Sequence, residues 1–152
     1  MSKLDFSRGA RTDVISNELG FLELSPGLSA PSSSEIQRLS PAAFAYLGDA
    51  VYELYIRRQF LLPPKRSEDY HRQVVSHVKA ESQAAHLRSL MPHLSEAEHE
   101  FVKRGRNAAL NRPKRLEPEI YQLATSLEAL IGYLYLTNPD RLSELLGFLD
   151  LQ

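Results

Sequence analysis

Two acidic residues, each accompanied by a glycine, are the strongest candidates for chemistry in this sequence. Asp49 follows Gly48 in an apolar segment, and Glu128 precedes Gly132 by four residues in a second apolar segment. A carboxylate in such a helix is costly unless a cation or hydrogen-bond donors accompany it. A glycine in a helix interior costs roughly 1 kcal/mol relative to alanine. Taken singly, either acid could lie partly exposed on an ordinary amphipathic helix, but together they predict a shared site.

Small residues on the turn before each acid indicate what that site would hold. At 100° per residue, Asp49 shares its helix face with Ala45, and Glu128 shares its face with Ala124. Small side chains let two helices approach closely and leave room for an ion with its waters. Mg²⁺ prefers carboxylate oxygens and retains several waters, so Asp49 and Glu128 are the predicted metal-binding and catalytic residues. Such an ion activates water and neutralises charge on a phosphate.

A basic segment at residues 103–115 contrasts with the rest of the chain. It contains six basic residues and no acidic one, although the whole chain has a net charge of −1. Its glycine, proline and asparagines predict a loop whose cations gather around a phosphate, and the alternative is an ordinary solvated surface loop. The predicted contact residues are Lys103, Arg104, Arg106, Asn107, Arg112 and Lys114.

The elements that position these residues are predicted to be helices throughout. Ser40 followed by Pro41, and Asn138 followed by Pro139, are typical helix starts, and residues 95–98 have the spacing of a capping box. No stretch alternates with the two-residue period of a half-buried strand, so the fold class is all-α. The predicted helices span about 40–60, 67–90, 95–102, 118–136 and a final short helix from 138.

The domain organisation follows from length and composition. The chain has 152 residues, which suits one domain. Residues 25–34 contain five serines and two prolines, a composition typical of a linker. We therefore expect a flexible arm and linker over residues 1–34 and one helical domain over residues 35–152.

Composition also excludes several classes of protein and site. The chain has no cysteine, so disulfides and thiolate metal sites are excluded. Its longest apolar run is far shorter than the ~20 residues of a membrane-spanning helix, and a cytoplasmic location is predicted. The five histidines show no i, i+4 pair and no local clustering, which argues against a zinc or catalytic histidine site.

Several segments together resemble the ribonuclease III family. Residues 46–51 resemble its signature motif, and residues 128–132 resemble its second acidic motif. More narrowly, the chain resembles the Mini-ribonuclease III group, the short form without a double-stranded-RNA-binding domain, from about residue 38 to residue 137. The segments that carry this narrower resemblance are 45–53, 71–75 through 83–84, 103–108 and 128–136.

The resemblance implies a function and an assembly. It implies an all-α homodimer that uses Mg²⁺ to hydrolyse both strands of duplex RNA and leaves 5′-phosphates. Asp49 and Glu128 would be its metal-binding acids, and Tyr46 would lie in the dimer interface. The implied substrate is the precursor of large-subunit (23S) ribosomal RNA, with a ribosomal protein as a possible partner on it.

The chain departs from the full-length ribonuclease III pattern at three positions. Ala42 and Ala45 stand where those enzymes carry glutamates, and Thr125 stands where they carry an aspartate. These changes predict a metal site with fewer protein ligands. Two alternatives to the enzyme remain at this point: a non-catalytic helical RNA-binding module, and an all-α metal-dependent nucleotide hydrolase, although its E-x-x-E or H-D spacings are missing.

Overall fold

Helices account for all the regular structure in the part of the chain that the structure describes. The computed structural model describes residues 30–109 and 115–152, and within them no strand occurs, which confirms the all-α prediction. The helices are α1 (Ser33–Arg38), α2 (Pro41–Phe60), α3 (Ser67–Val78), α4 (Ala80–Leu90), α5 (Glu96–Ala108), α6 (Pro118–Thr137) and α7 (Pro139–Leu146). A short 3₁₀ turn at Met91–His93 lies between α4 and α5.

Local capping explains where three of these helices begin. The Ser40 hydroxyl accepts the Ala43 N–H at 3.1 Å at the start of α2. Ser95 and Glu98 form a reciprocal capping box at the start of α5. The Asn138 side chain accepts the backbone N–H of Arg141 at the start of α7. Each contact satisfies an N–H that the first helical turn leaves without a partner, and all three predicted starts are confirmed.

The single helix predicted over residues 67–90 is instead two helices. Lys79 is extended, with φ −66° and ψ 152°, and it separates α3 from α4. The hydroxyl of Ser82, in the first turn of α4, donates to the carbonyl of Ser76 near the end of α3. This side-chain hydrogen bond satisfies a carbonyl that a continuous helix would have paired with a backbone N–H, so it supports the break.

The serine-rich segment predicted as linker is helical at its end. Ser32 and Glu35 form a capping box in which each side chain accepts the other residue's N–H. Ser33 and Ser34 therefore belong to the first turn of α1. Serine is typical of both linkers and N-caps, and the glutamate three residues later distinguishes the two here.

The prediction that residues 103–115 form a loop is wrong for their first part. Helix α5 continues to Ala108. A Cβ built on Gly105 would lie 3.5 Å from both the Ser126 Cα and the Ala129 Cβ, so α5 packs closely on α6 there. This packing outweighs the weak helix propensity of glycine and asparagine. The remaining residues to 114, with the predicted contacts Arg112 and Lys114, lie outside the described residues.

The core is organised around α2 and α6, and α3, α4, α5 and α7 surround this pair. Tyr52, Ile56 and Leu127 are completely inaccessible to solvent. We expected the Asp49 segment to form the best-buried helix, but α6 buries more of its residues than α2 does. No helix in the described ranges is long and apolar enough to cross a membrane.

One face of α2 is apolar and exposed. Ala43, Tyr46, Ala50 and Leu54 follow one another at three- and four-residue spacing, and all four are exposed. The Tyr46 side chain is 87% exposed, and Leu54 is 37% exposed. We call these four residues the α2 outer face. An apolar stripe of this kind in an otherwise well-packed domain indicates an interaction surface.

Candidate active site

Two glycines set the distance between the helices that carry the acids. A Cβ built on Gly48 would lie 1.7 Å from the backbone oxygen of Glu128, and one on Gly132 would lie 2.0 Å from the backbone oxygen of Phe44. No side chain fits at either position, so only glycine permits this close approach. Asp49 directly follows Gly48, and the crossing therefore brings the two acids together as the sequence predicts.

The two carboxyl groups share a hydrogen bond. Burial and the neighbouring charge of Asp49 raise the pKa of Glu128 to about 7, and the protonated Glu128 donates to Asp49. Partial desolvation of its carboxyl group and, to a lesser extent, the charge of Glu53 raise the pKa of Asp49. As a whole residue Asp49 is nevertheless exposed, not buried as the sequence suggested. Two neighbouring carboxyl groups repel each other when both are ionised, so a bound cation would stabilise the ionised pair.

Neither acid is neutralised by a basic side chain in the described parts of the chain. The influences on the pKa values of Asp49 and Glu128 are burial, other acids and Gln83, and no lysine or arginine is among them. In contrast, the structural acid Glu98 lies 2.8 Å from the Arg141 guanidinium, which holds the Glu98 pKa below its usual range. The paired acids therefore differ from an ordinary structural ion pair.

Gln83 is a site residue to which sequence analysis assigned no function. It is only 3% exposed, and its side-chain amide is hydrogen-bonded to Glu128. Gln83 lies four and seven residues before Leu87 and Leu90, both of them buried. A glutamine within the apolar stripe of a helix was the available signal, because a buried amide needs a hydrogen-bonding partner.

The side chains at this site fit a hard divalent cation. Two carboxylates supply the oxygen ligands that Mg²⁺ prefers. Within residues 30–109 and 115–152, no group of three or more histidine or acidic residues is placed to hold a metal. Water and substrate phosphate would therefore complete the coordination.

An open cleft lies at two of the three positions where the chain lacks the acids of full-length ribonuclease III enzymes. Its volume is about 320 Å³, and it is bounded by the start of α2, the end of α5 and the first half of α6. Ala42 and Thr125 both line it and face open space, whereas Ala45 is buried in the core. The lining residues are Pro41, Ala42, Gly105, Ala108, Ala109, Tyr121 and Thr125.

The basic residues at the end of α5 lie on a helix that packs against the helix of Glu128. Lys103, Arg104, Arg106 and Asn107 are all exposed. Between them, Gly105 contacts Ser126 and Ala129 on α6. The described part of the predicted phosphate-binding segment and Glu128 are therefore carried by two helices in direct contact.

Each of the two arginines has a contact that restricts its side chain. The Arg104 guanidinium lies 5.3 Å from the centre of the Phe101 ring, a cation–π distance. The Arg106 Nε donates to the Gln122 side chain at 3.4 Å. No acidic residue is paired with either arginine in the described ion pairs. Their positive charge is therefore available to a phosphate.

Two histidines that are distant in the sequence lie together in the structure. His77 and His86 stack with ring centroids 5.8 Å apart, because the break between α3 and α4 folds one helix back on the other. The His86 Nδ1 lies 2.5 Å from the Tyr52 hydroxyl, which also donates to the His77 carbonyl at 2.9 Å. Burial lowers the pKa values of both histidines, which favours their neutral forms.

Comparison with known proteins identifies the family. The sequence-family model of the ribonuclease III domain matches residues 42–139. Mini-ribonuclease 3 of Synechocystis is 52% identical over 124 residues, covering 82% of this chain and 87% of that protein. Mini-ribonuclease 3 of Thermosynechococcus vestitus is 53% identical over 131 residues, covering 86% of this chain and 85% of that protein.

A solved structure agrees with this assignment. The crystal structure of a Fusobacterium nucleatum protein superimposes with a TM-score of 0.68 at 28% identity, covering 74% of this chain and 93% of that one. Nucleases of the matched family use divalent metal ions, in keeping with the paired acids. The chain belongs to the ribonuclease III family and is an endoribonuclease that acts on double-stranded RNA.

Proposed function

We propose that Asp49 and Glu128 hold Mg²⁺ and that the enzyme uses it to cleave both strands of duplex RNA, leaving 5′-phosphates. The observation that carries the proposal is the hydrogen-bonded pair of carboxyl groups beside the Gly48–Gly132 crossing. When bound, the ion supplies an activated water and neutralises charge on the phosphate. The proposed substrate is the precursor of 23S ribosomal RNA, as the Mini-ribonuclease III resemblance implies.

The protein residues contribute position and electrostatics. Without a cation, the repulsion between Asp49 and Glu128 is relieved only by the proton they share. Asp49 and Glu128 would hold a divalent ion whose charge compensates their repulsion, so the pair favours a cation over the empty site. The glycine crossing keeps the two backbones together, so the acids cannot relax by moving apart.

We propose that the basic end of α5 holds the RNA backbone beside the acids. A-form RNA is recognised through its shape, its phosphates and its 2′-hydroxyls. Lys103, Arg104, Arg106 and Asn107 are exposed on α5, which packs directly against α6, the helix that carries Glu128, and this suits contacts to phosphates of a bound duplex. Arg112 and Lys114 extend the same basic segment in the sequence and are included in the proposal.

We also propose a homodimer formed through the α2 outer face. Its four residues are apolar and exposed, and Tyr46 is a large aromatic anchor at the edge nearest Asp49. Pairing this face around a two-fold axis would bury it and bring two acidic sites to one duplex, one for each strand.

Three further parts of the proposal come from the sequence. The proposed catalytic domain is residues 35–152. The proposed location is the cytoplasm, and the proposed partner is a ribosomal protein on the substrate.

Cleavage by charge-removing variants tests the metal-site assignment. Asp49→Asn and Glu128→Gln keep the side-chain shapes and remove one negative charge each. Both are expected to abolish Mg²⁺-dependent cleavage of a duplex from the 23S precursor while helicity is retained. Glu119→Gln is the matched control, because Glu119 lies on the same helix as Glu128 but is exposed and paired with Arg88. Near wild-type cleavage by either site variant would refute the assignment.

A further inference from the structure

We propose that Gln83 is a positioning residue of the active site, whose side-chain amide holds the Glu128 carboxyl group in the orientation required for metal binding. The proposal deepens the proposed function, since it rests on Glu128 being a metal ligand. Gln83 itself would touch neither the ion nor the RNA.

The first support is the burial of Gln83 together with its partner. A glutamine side chain that is only 3% exposed needs hydrogen bonds, because burying an unpaired amide is costly. Within the described residues, no buried side-chain nitrogen or oxygen lacks a partner. The amide of Gln83 donates to Glu128.

The second support is the rigidity of the helix that carries Gln83. Its backbone N–H donates to the Lys79 carbonyl at 3.0 Å, so Gln83 lies in the first turn of α4. The fully buried Ala84 and Leu87, one and four residues after Gln83, anchor α4 in the core. The break at Lys79 sets the direction of α4, and Gln83 is therefore presented to Glu128 from a fixed support.

A separate contact ties α4 to α2, the helix that carries the other acid. The His86 ring on α4 meets the Tyr52 hydroxyl on α2 at 2.5 Å, and Tyr52 also bonds the His77 carbonyl at the end of α3. Tyr52 is completely buried and lies one turn after Asp49. The helix that carries Gln83 is thus fixed relative to both acids of the site.

The amide of Gln83 suits an orienting contact because it is neutral. An amide N–H donates to an ionised carboxylate and carries no charge that would compete with a cation for that carboxylate. Gln83 would therefore still orient Glu128 with an ion bound. Such supporting hydrogen bonds typically change metal affinity by about 10- to 100-fold.

Two apolar replacements of Gln83 test the proposal. Gln83→Met keeps the length of the side chain, and Gln83→Leu keeps most of its volume, but neither has a donor. Each is expected to raise the Mg²⁺ concentration for half-maximal single-turnover cleavage about tenfold. RNA affinity measured without divalent ions is expected to stay unchanged. Gln73→Met on the exposed face of α3 is the matched control and is expected to behave like the wild type.

A second readout does not depend on the loaded enzyme. Crystal structures of the metal-free wild type and of Gln83→Met are compared at the Glu128 carboxyl group, which is expected to turn away from its wild-type position only in the variant. An unchanged Mg²⁺ midpoint in either folded variant, or an unmoved Glu128, would overturn the proposal. So would unfolding of both variants, since the amide would then be structural. An active Glu128→Gln enzyme would instead refute the proposed function.

Discussion

The backbone oxygen of Glu128 lies 1.7 Å from the place where a β-carbon on residue 48 would be. The residue that binds the proposed metal through its side chain thus fixes the spacing of the two helices through its main chain. Because the obstacle is backbone and not a flexible side chain, the helices would have to separate to admit even one methyl group. Close approach and acid pairing therefore depend on the same contact.

The first prediction is that Gly48→Ala unfolds or strongly destabilises the protein. Alanine favours helix by roughly 1 kcal/mol, but the clash with Glu128 is expected to outweigh this and to cost about 3 kcal/mol or more. Thermal or urea denaturation monitored by circular dichroism measures the difference. Gly105→Ala is the control, since its β-carbon would meet ordinary contacts at 3.5 Å, and it is expected to be neutral or stabilising. Equal effects of the two substitutions would contradict the explanation.

The second prediction concerns pH and follows from the raised pKa of Glu128, about 7 compared with an ordinary 4.5. Above pH 4.5 the unfolded chain releases the Glu128 proton while the folded protein retains it, so the contribution of Glu128 to the free energy of unfolding falls until pH 7. The glutamine in Glu128→Gln cannot ionise, so the variant does not lose this stability. Without divalent ions, the variant is expected to be more stable than the wild type at pH 8, by up to about 3 kcal/mol.

The comparison at low pH decides whether this explanation is correct. At pH 4, Glu128 is protonated in both the folded and the unfolded state, so the wild type and Glu128→Gln are expected to be equally stable. Melting curves at pH 4 and pH 8 in a chelating buffer make the measurement. A stability difference that does not change with pH would indicate packing, not ionisation, as its cause.

The third prediction tests the α2 outer face. Tyr46→Asp places a charge where the proposed dimer buries an aromatic ring, and it is expected to yield monomers and to leave the helices folded. Sedimentation at micromolar concentration measures the assembly. Asp140→Asn is a suitable control because Asp140 is exposed on α7, on a different helix from this face. A wild-type protein that sediments as a monomer would refute the proposed interface directly.

Much of the fold could be predicted because helix starts depend on neighbouring residues. Ser40, Ser95 and Asn138 cap helices through contacts only three residues away, which sequence spacing reveals. The break at Lys79 and the extension of α5 through Gly105 could not be predicted in the same way. Both depend on contacts made after folding, the first on a hydrogen bond from another helix and the second on packing against α6.

The residues of the candidate site also differ in whether the sequence alone reveals them. Asp49 and Glu128 were identifiable because a charged residue beside glycine in an apolar helix violates local preference, and such violations accompany function. Gln83 carries no charge, and its role depends on the direction that α4 takes after the break at Lys79. The exposure of Asp49 was also missed, since an apolar sequence does not reveal which side of α2 other helices leave uncovered.

The last prediction concerns the arginines at the end of α5. Counterion release makes log affinity fall with log salt by about 0.9 for each phosphate neutralised on B-DNA, a guide for duplex RNA. If Arg104 and Arg106 each neutralise one phosphate, replacing both with alanine is expected to flatten the slope by about 2 units. Binding should weaken for every duplex tested, because phosphates carry no sequence information.

The measurement is the affinity for one RNA duplex at several salt concentrations, with chelator present to prevent cleavage. Arg66→Ala combined with Arg72→Ala is the charge-matched control, since both residues are exposed and lie away from α5, Arg66 directly before α3 and Arg72 in the middle of α3. The control is expected to keep the wild-type slope, and the Arg104/Arg106 double variant is expected to retain most of its single-turnover rate at saturating RNA. An unchanged slope in that double variant would mean that the end of α5 is only solvated surface.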